Sequence, residues 1–410
     1  MRKKRHYFGL KEYRYVTRSG ITLSYIQTKN IYTNVTFNIS SGSTYKNNES
    51  SLYYAHLIPS IIKDSDLFSF SLKNQITFSS SVNYLNTVYK FNSFSKCEEI
   101  VIYFLDRLNN LVINNDNLNN FIKNSKYSFY NHNSIIKRNL FDNIFSSSPI
   151  RSGNVILESS DNLSVEEANN YFLDAYKKSN INVFITGPLN KKEIQTLFHN
   201  IESKISYSRQ EKSINTSTYN ENYTSVNRTY SLINGNYHIN YLSMGIKLQR
   251  FDQLLNRFDI LLIPYLYLTK FACFDLNSEF IKSVNNAEAN YIDCNIESSN
   301  YDGVIYFNFE VDKEEKLIKF LNDYTTHLVN RLDKYVFNNA KRFAFASLFE
   351  KIIHPYLVSE TLNYQFSNVI EYTRLLKLIK KVKYDDFISF VSYFQTFPKS
   401  IVLLKSSELE

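Results

Sequence analysis

The chain has 410 residues, 43% of them hydrophobic, which suits a globular protein of two or three domains and excludes a disordered one. Eight glycines and six prolines exclude collagen-like and Gly-loop-rich designs. The net charge is +8, but Arg2, Lys3, Lys4 and Arg5 supply four of those charges, and the mildly basic remainder is no nucleic-acid footprint.

The run Arg2–Arg5 reads as a disordered, solubilising tail. Tyr7-Phe8-Gly9-Leu10 is followed at once by Lys11, Glu12 and Arg14, so the apolar segment of a signal peptide is not expected. Val35, Phe37 and Ile39 alternate with polar residues, which predicts a half-buried strand over Thr33–Ser41, ended by Gly42-Ser43. Leu52–Lys63 reads as a helix containing Pro59; it either starts late, near Pro59, or is kinked. A pair of strands follows over Gln75–Phe91, then a helix over Cys97–Leu111 and a long polar helical stretch over Leu118–Phe145. Ser164 and Glu167 form a capping-box pattern opening a helix to about Lys178. Ile181–Gly187 is a strand, and Asn190 with Glu193 caps a helix through Phe198. Ser206–Arg228 is polar and aperiodic, a linker candidate.

Beyond it the pattern restarts. Strands are expected over Tyr237–Leu248, Val304–Phe309 and Lys399–Leu404, and helices over Arg257–Lys270, Lys313–Leu332, Phe337–Leu357 and Tyr384–Phe394. His56–Ile62 echoes Leu261–Tyr267, and the helix-then-strand pair 164–187 echoes 384–404, each offset by roughly 200 residues. The expected fold is α+β: two tandem homologous domains, each a mixed, mostly antiparallel sheet with helices on one face. The expected boundaries are 1–205 and 229–410, joined by a linker at 206–228.

Local chemistry is sparse. Cys97, Cys273 and Cys294 form no C-x-x-C pair, so neither a disulfide framework nor a thiolate zinc site is indicated. The closest histidines, His327 and His354, lie 27 residues apart, so no helical turn presents two of them to one metal ion. No G-x-S-x-G elbow and no phosphate-cradling glycine motif occurs. Glu98 and Glu99 beside Cys97 raise its thiol pKa rather than activate it. Gly187-Pro188 reads as a structural turn, because Pro188 removes an amide that a phosphate site uses. The longest apolar stretch, Ile260–Leu268, is half a membrane span, and the chain reads as soluble and cytoplasmic.

The order of elements resembles the pitrilysin/insulinase-like zinc metallopeptidases, whose motif is H-x-x-E-H. The likeness rests on Thr33–Lys63, on Leu163–Phe198 and on Glu279–Phe309. His56 stands where the resemblance implies the first histidine, while Pro59 stands at the glutamate position and Ser60 at the second histidine. A third ligand, a glutamate some 70–80 residues downstream, is implied, but no Asp or Glu occurs between Asp116 and Asp142. The resemblance is greatest to the bacterial members that lack the motif and accompany an active subunit. It implies no catalytic residues, metal ligands or cofactors here. It also implies a peptide-gripping tyrosine at Tyr291, with Lys282 where an arginine is expected; Tyr291 equally suits ordinary packing.

The expected function is therefore that of a catalytically inactive subunit. It would pair as a heterodimer with an active zinc metallopeptidase homologue, forming a chamber that processes a small bacterial peptide, with no nucleic-acid or membrane partner. The alternative is a stand-alone peptide-binding or assembly protein on the same scaffold. A hydrolase with an unconventional site and nucleic-acid binding through Arg2–Arg5 are further classes.

Overall fold

The computed structural model describes residues 1–5, 11–29, 31–43, 45, 49–94, 96–128, 132–152, 163–205, 220–235, 238–274, 279–298, 302–353 and 372–406. They fall into two compact units. One holds the described residues up to 127, those of 163–205, and 350–353; the other holds those of 128–152, 220–349 and 372–406.

The first unit is built on a seven-stranded sheet: β1 (Arg2–Arg5), β2 (Lys11–Val16), β3 (Thr22–Gln27), β4 (Thr33–Ile39), β5 (Thr77–Val82), β6 (Thr87–Ser93) and β7 (Ile181–Gly187). The spatial order is β1-β2-β3-β7-β4-β6-β5, and β3 with β7 is the parallel pair. Val35, Phe37 and Ile39 alternate onto the face that the unit's helices cover. Phe37 packs tilted on Phe104 of the helix Cys97–Asn109, with ring centroids 4.3 Å apart. The other face carries a polar stripe in which Asn34 donates to Asn92 (2.7 Å) and Thr36 to Asn34 (2.8 Å).

The second unit repeats this plan with β8 (Tyr230–Gly235), β9 (Asn240–Lys247), β10 (Ala289–Ser298), β11 (Gly303–Val311) and β12 (Lys399–Ser406), in the order β10-β11-β9-β12-β8. Read from the other edge, β8-β12-β9-β11-β10 matches β3-β7-β4-β6-β5, including one parallel pair, β8 with β12, beside antiparallel ones. The echo in the sequence is thus a five-stranded module used twice, and among the described residues the β1–β2 ribbon is an extension on the first sheet alone. The expected α+β architecture in two tandem units is the one observed. The second sheet carries helices on both faces. The helix Leu262–Phe274 supplies Phe274 against Phe307 on one face (4.2 Å), and the helix His132–Ile144 lies across the other over Gly245.

Several local expectations change. Arg2–Arg5 is not a tail: its backbone pairs with β2, which needs no apolar alternation. The proline helix does not start late. It runs Glu49–Ile62 with Pro59 inside, forgoing one backbone bond in return for its buried residues Leu52, Leu57, Ile58 and Ile62. The stretch read as one helix over Leu118–Phe145 is two, Asn115–Ser128 and His132–Ile144, and the second counts with the second unit. Of the linker candidate, 206–219 lie outside the described residues, while the amide of Arg228 donates to Asn143 O (3.0 Å) and fastens its end. The capping box at Asn190 is complete. The one at Ser164 is half-formed, since the Ser164 amide donates to the Tyr54 hydroxyl (3.1 Å), which itself donates to Glu167 (2.9 Å).

Candidate functional site

The resemblance directs attention to the helix Glu49–Ile62 and its surroundings. His56 sits in the part of this helix that is largely buried, and burial pushes its imidazole down to about 4, so it is neutral at pH 7. One turn on, where a second imidazole would be needed, the Ser60 hydroxyl donates back to Leu57 O at 2.7 Å. Pro59 offers no side-chain donor atom at all. The Glu167 carboxylate that reaches the helix is engaged by the Tyr54 hydroxyl. The helix Asn115–Ser128 has its acidic residue, Asp116, in the first turn and no other carboxylate. Among the described residues no three His, Cys, Asp or Glu side chains converge as a metal site. A catalytic zinc needs three protein donors around an open position, and this set does not fit it.

Beside this helix lies β5, the last strand of the first sheet, whose outer backbone edge no described strand pairs with. Its sequence, Thr77-Phe78-Ser79-Ser80-Ser81-Val82, carries no charge and no proline, and its exposure alternates along the strand. Open edges are usually guarded by lysine, proline or a bulge, and β5 has none of these in its sequence. It is chemically suited to accept an extended peptide through main-chain hydrogen bonds.

In the second unit, the register of Tyr291 with Phe309 sets its ring on the helix-covered face of β10, against Phe309 (5.7 Å) and edge-on to Phe280 (5.8 Å). A register shift between Tyr291 and Asp293 interrupts the ladder there. Lys282 is exposed on the helix Glu279–Asn286, whose buried side presents Phe280 and Val284. Among the described contacts none joins Lys282 to Tyr291.

Sequence reasoning missed a third cluster. Lys247, at the end of β9, is 1% exposed; its ammonium donates to Glu221 (2.6 Å), Asn222 O (2.6 Å), Ile144 O (2.8 Å) and Ser225 O (3.0 Å). Glu221 in turn accepts from the amides of Ser147 (2.7 Å), Ser148 (2.9 Å) and Ser146 (3.0 Å). Burial alone would raise the Glu221 carboxyl, but Lys247 and the serine amides hold it below the ordinary 4.5. Buried Asp302 accepts from Ser148 and Tyr223 hydroxyls alongside. With its donors and acceptors mutually engaged, this cluster is a fastening rather than a reactive centre. Its sequence signal was Lys247, the one charged residue of β9.

This double module with its helices defines an M16-like peptidase fold. A protein described as an M16-like peptidase from Alicyclobacillus acidocaldarius matches 97% of this chain over 99% of its own, at TM-score 0.82 and 14% identity. A Helicobacter pylori protease matches 97% of this chain over all of its own, at 0.80 and 13%. An M16 peptidase inactive domain from Pseudomonas fluorescens matches 97% over 98%, at 0.75 and 11%. No family model matches the sequence. No curated protein matches it either. At these identities the likeness is one of fold, and it is the fold that the pitrilysin/insulinase resemblance implied. No described helix is long and apolar enough to cross a membrane.

Proposed function

We propose that this chain is a catalytically inactive, peptidase-like subunit. It pairs with an active zinc metallopeptidase homologue in a heterodimer, and the pair encloses and processes a small bacterial peptide in the cytoplasm. The observation that carries the reading is the helix Glu49–Ile62, which the resemblance implies as the zinc helix and which holds His56, Pro59 and Ser60 where a ligand pair and a general base would be needed. What remains useful beside it is the open, uncharged edge of β5, which would hold the peptide extended while the partner cuts. Lys282 and Tyr291 are proposed as accessory peptide contacts.

Co-expression with an intact H-x-x-E-H homologue encoded next to this chain's gene, followed by sizing, tests the pairing. A one-to-one complex that cleaves peptide faster than the homologue alone is expected. Separate elution with unchanged cleavage would overturn the heterodimer and leave the stand-alone peptide-binding reading, which the same β5 edge serves.

A further inference from the structure

Among the described residues the first sheet has two unpaired edges of opposite character. β5 is neutral, whereas β1 is Arg2-Lys3-Lys4-Arg5. The ribbon β1–β2 is also the part of this sheet with no counterpart among the described strands of the second sheet. Its register sets Arg2 across from Arg14, Lys3 from Tyr13, Lys4 from Glu12 and Arg5 from Lys11. Two of these pairs oppose like charges, an arrangement that costs stability in an antiparallel ladder. The ribbon holds the cations Arg2, Lys3, Lys4, Arg5, Lys11 and Arg14 against the single anion Glu12. Arg2, Lys3 and Arg14 are exposed, and among the described residues none of the three forms an ion pair. A lysine or two suffices to guard an edge against stray pairing. Six cations against one anion on this ribbon go beyond guarding.

We propose that the β1 edge is a docking strand for an acidic extended segment of a partner protein, taken up by strand addition. The open amides and carbonyls of β1 would supply the main-chain bonds, and the cations would select aspartate- and glutamate-rich strands while repelling basic ones. The same edge suits nucleic acid poorly. Tyr13, the aromatic residue across from Lys3 among the described residues, is buried and offers bases no stacking platform. This inference is independent of the peptidase reading, since it involves neither the helix Glu49–Ile62 nor β5.

The test uses the full chain and a fluorescent octapeptide alternating Asp or Glu with Thr or Val, read by anisotropy. Binding is expected at about 50 mM salt and about tenfold weaker at about 300 mM, with no binding of the lysine counterpart. Replacing Arg2, Lys3, Lys4 and Arg5 together by glutamine should lower affinity at least about tenfold. Lys3→Pro and Lys4→Pro each keep three of the four charges. Adjacent amides in a strand point to opposite sides, so one of these variants removes an outward amide and should also lose binding while hydrogen exchange in β3 and β7 stays native. No binding at low salt, full binding by the glutamine variant, wild-type binding by both proline variants, or tighter charge-dependent binding of a single-stranded oligonucleotide would each overturn the proposal.

Discussion

Lys247 and Glu221 meet at 2.6 Å with both side chains shut away from solvent, and between them they tie β9 to the segments 144–148 and 221–225. Burying two charges is favourable only when each finds further partners. Lys247 has three carbonyl acceptors besides the carboxylate, and Glu221 has three backbone amides besides the ammonium.

Removing one partner strands the other. Glu221→Ala is expected to destabilise the second unit by about 3–5 kcal/mol, measured by urea unfolding. The pH dependence has a definite sign. The folded carboxyl titrates below its ordinary 4.5, so its contribution is complete above that value and is lost as pH falls through the lower folded value. In Glu221→Gln this acid-dependent loss should be smaller than in wild type. An unchanged acid-unfolding curve would contradict the assignment.

His56 has the opposite chemistry and the same direction. Burial lowers its imidazole from 6.5 to about 4, so the unfolded chain binds the proton more readily than the folded one. Stability from keeping His56 neutral is therefore complete above 6.5 and declines as pH falls from there toward 4. Proton NMR of the imidazole should give a midpoint near 4, and His56→Phe should flatten the decline. A midpoint above 6 would show an exposed, ordinary histidine.

Gly42 lies where any side chain would strike the backbone of Asn83, Tyr84 and Asn86, and its carbonyl accepts from Tyr45 N at 3.1 Å. Backbone gives way less readily than side-chain tips. Gly42→Ala is expected to cost about 1–3 kcal/mol by thermal or urea unfolding. Gly245→Ala meets side-chain ends of Ile144 and Leu140 instead and should cost less.

The β5 edge gives a test of peptide holding. Adjacent strand amides point alternately toward β6 and away from it. Of Ser79→Pro and Ser80→Pro, one should disturb the β5–β6 pairing and the other should leave stability nearly unchanged while weakening binding of a neutral extended peptide. Tyr291→Phe preserves the ring contacts with Phe280 and Phe309 and removes only the hydroxyl. If that hydroxyl grips peptide, affinity falls by about tenfold, the worth of roughly one hydrogen bond.

What was legible in the sequence was whatever a period or a cap announces. Val35-x-Phe37-x-Ile39 gave β4, Asn190 with Glu193 gave a complete capping box, and the recurrence of an apolar helix after a strand gave the double module. What was not legible depended on distant partners. Ile136, Leu140 and Ile144 mark one helical face but cannot say which sheet it meets, and Gly245 makes room for Leu140 and Ile144. Tyr54, more than a hundred residues from Ser164, displaced the glutamate from its expected cap. Arg2–Arg5 has no apolar alternation, because an edge strand can be held by backbone bonds alone. The missing metal donors at the positions that the resemblance implies were readable because identity, not geometry, decides whether a side chain can donate to a metal.

The most direct check is elemental analysis of the purified chain after equilibration with zinc, together with a peptide-cleavage assay with and without chelator. The account predicts zinc far below one ion per chain and no cleavage by the chain alone. One bound zinc per chain with chelator-sensitive cleavage would contradict it.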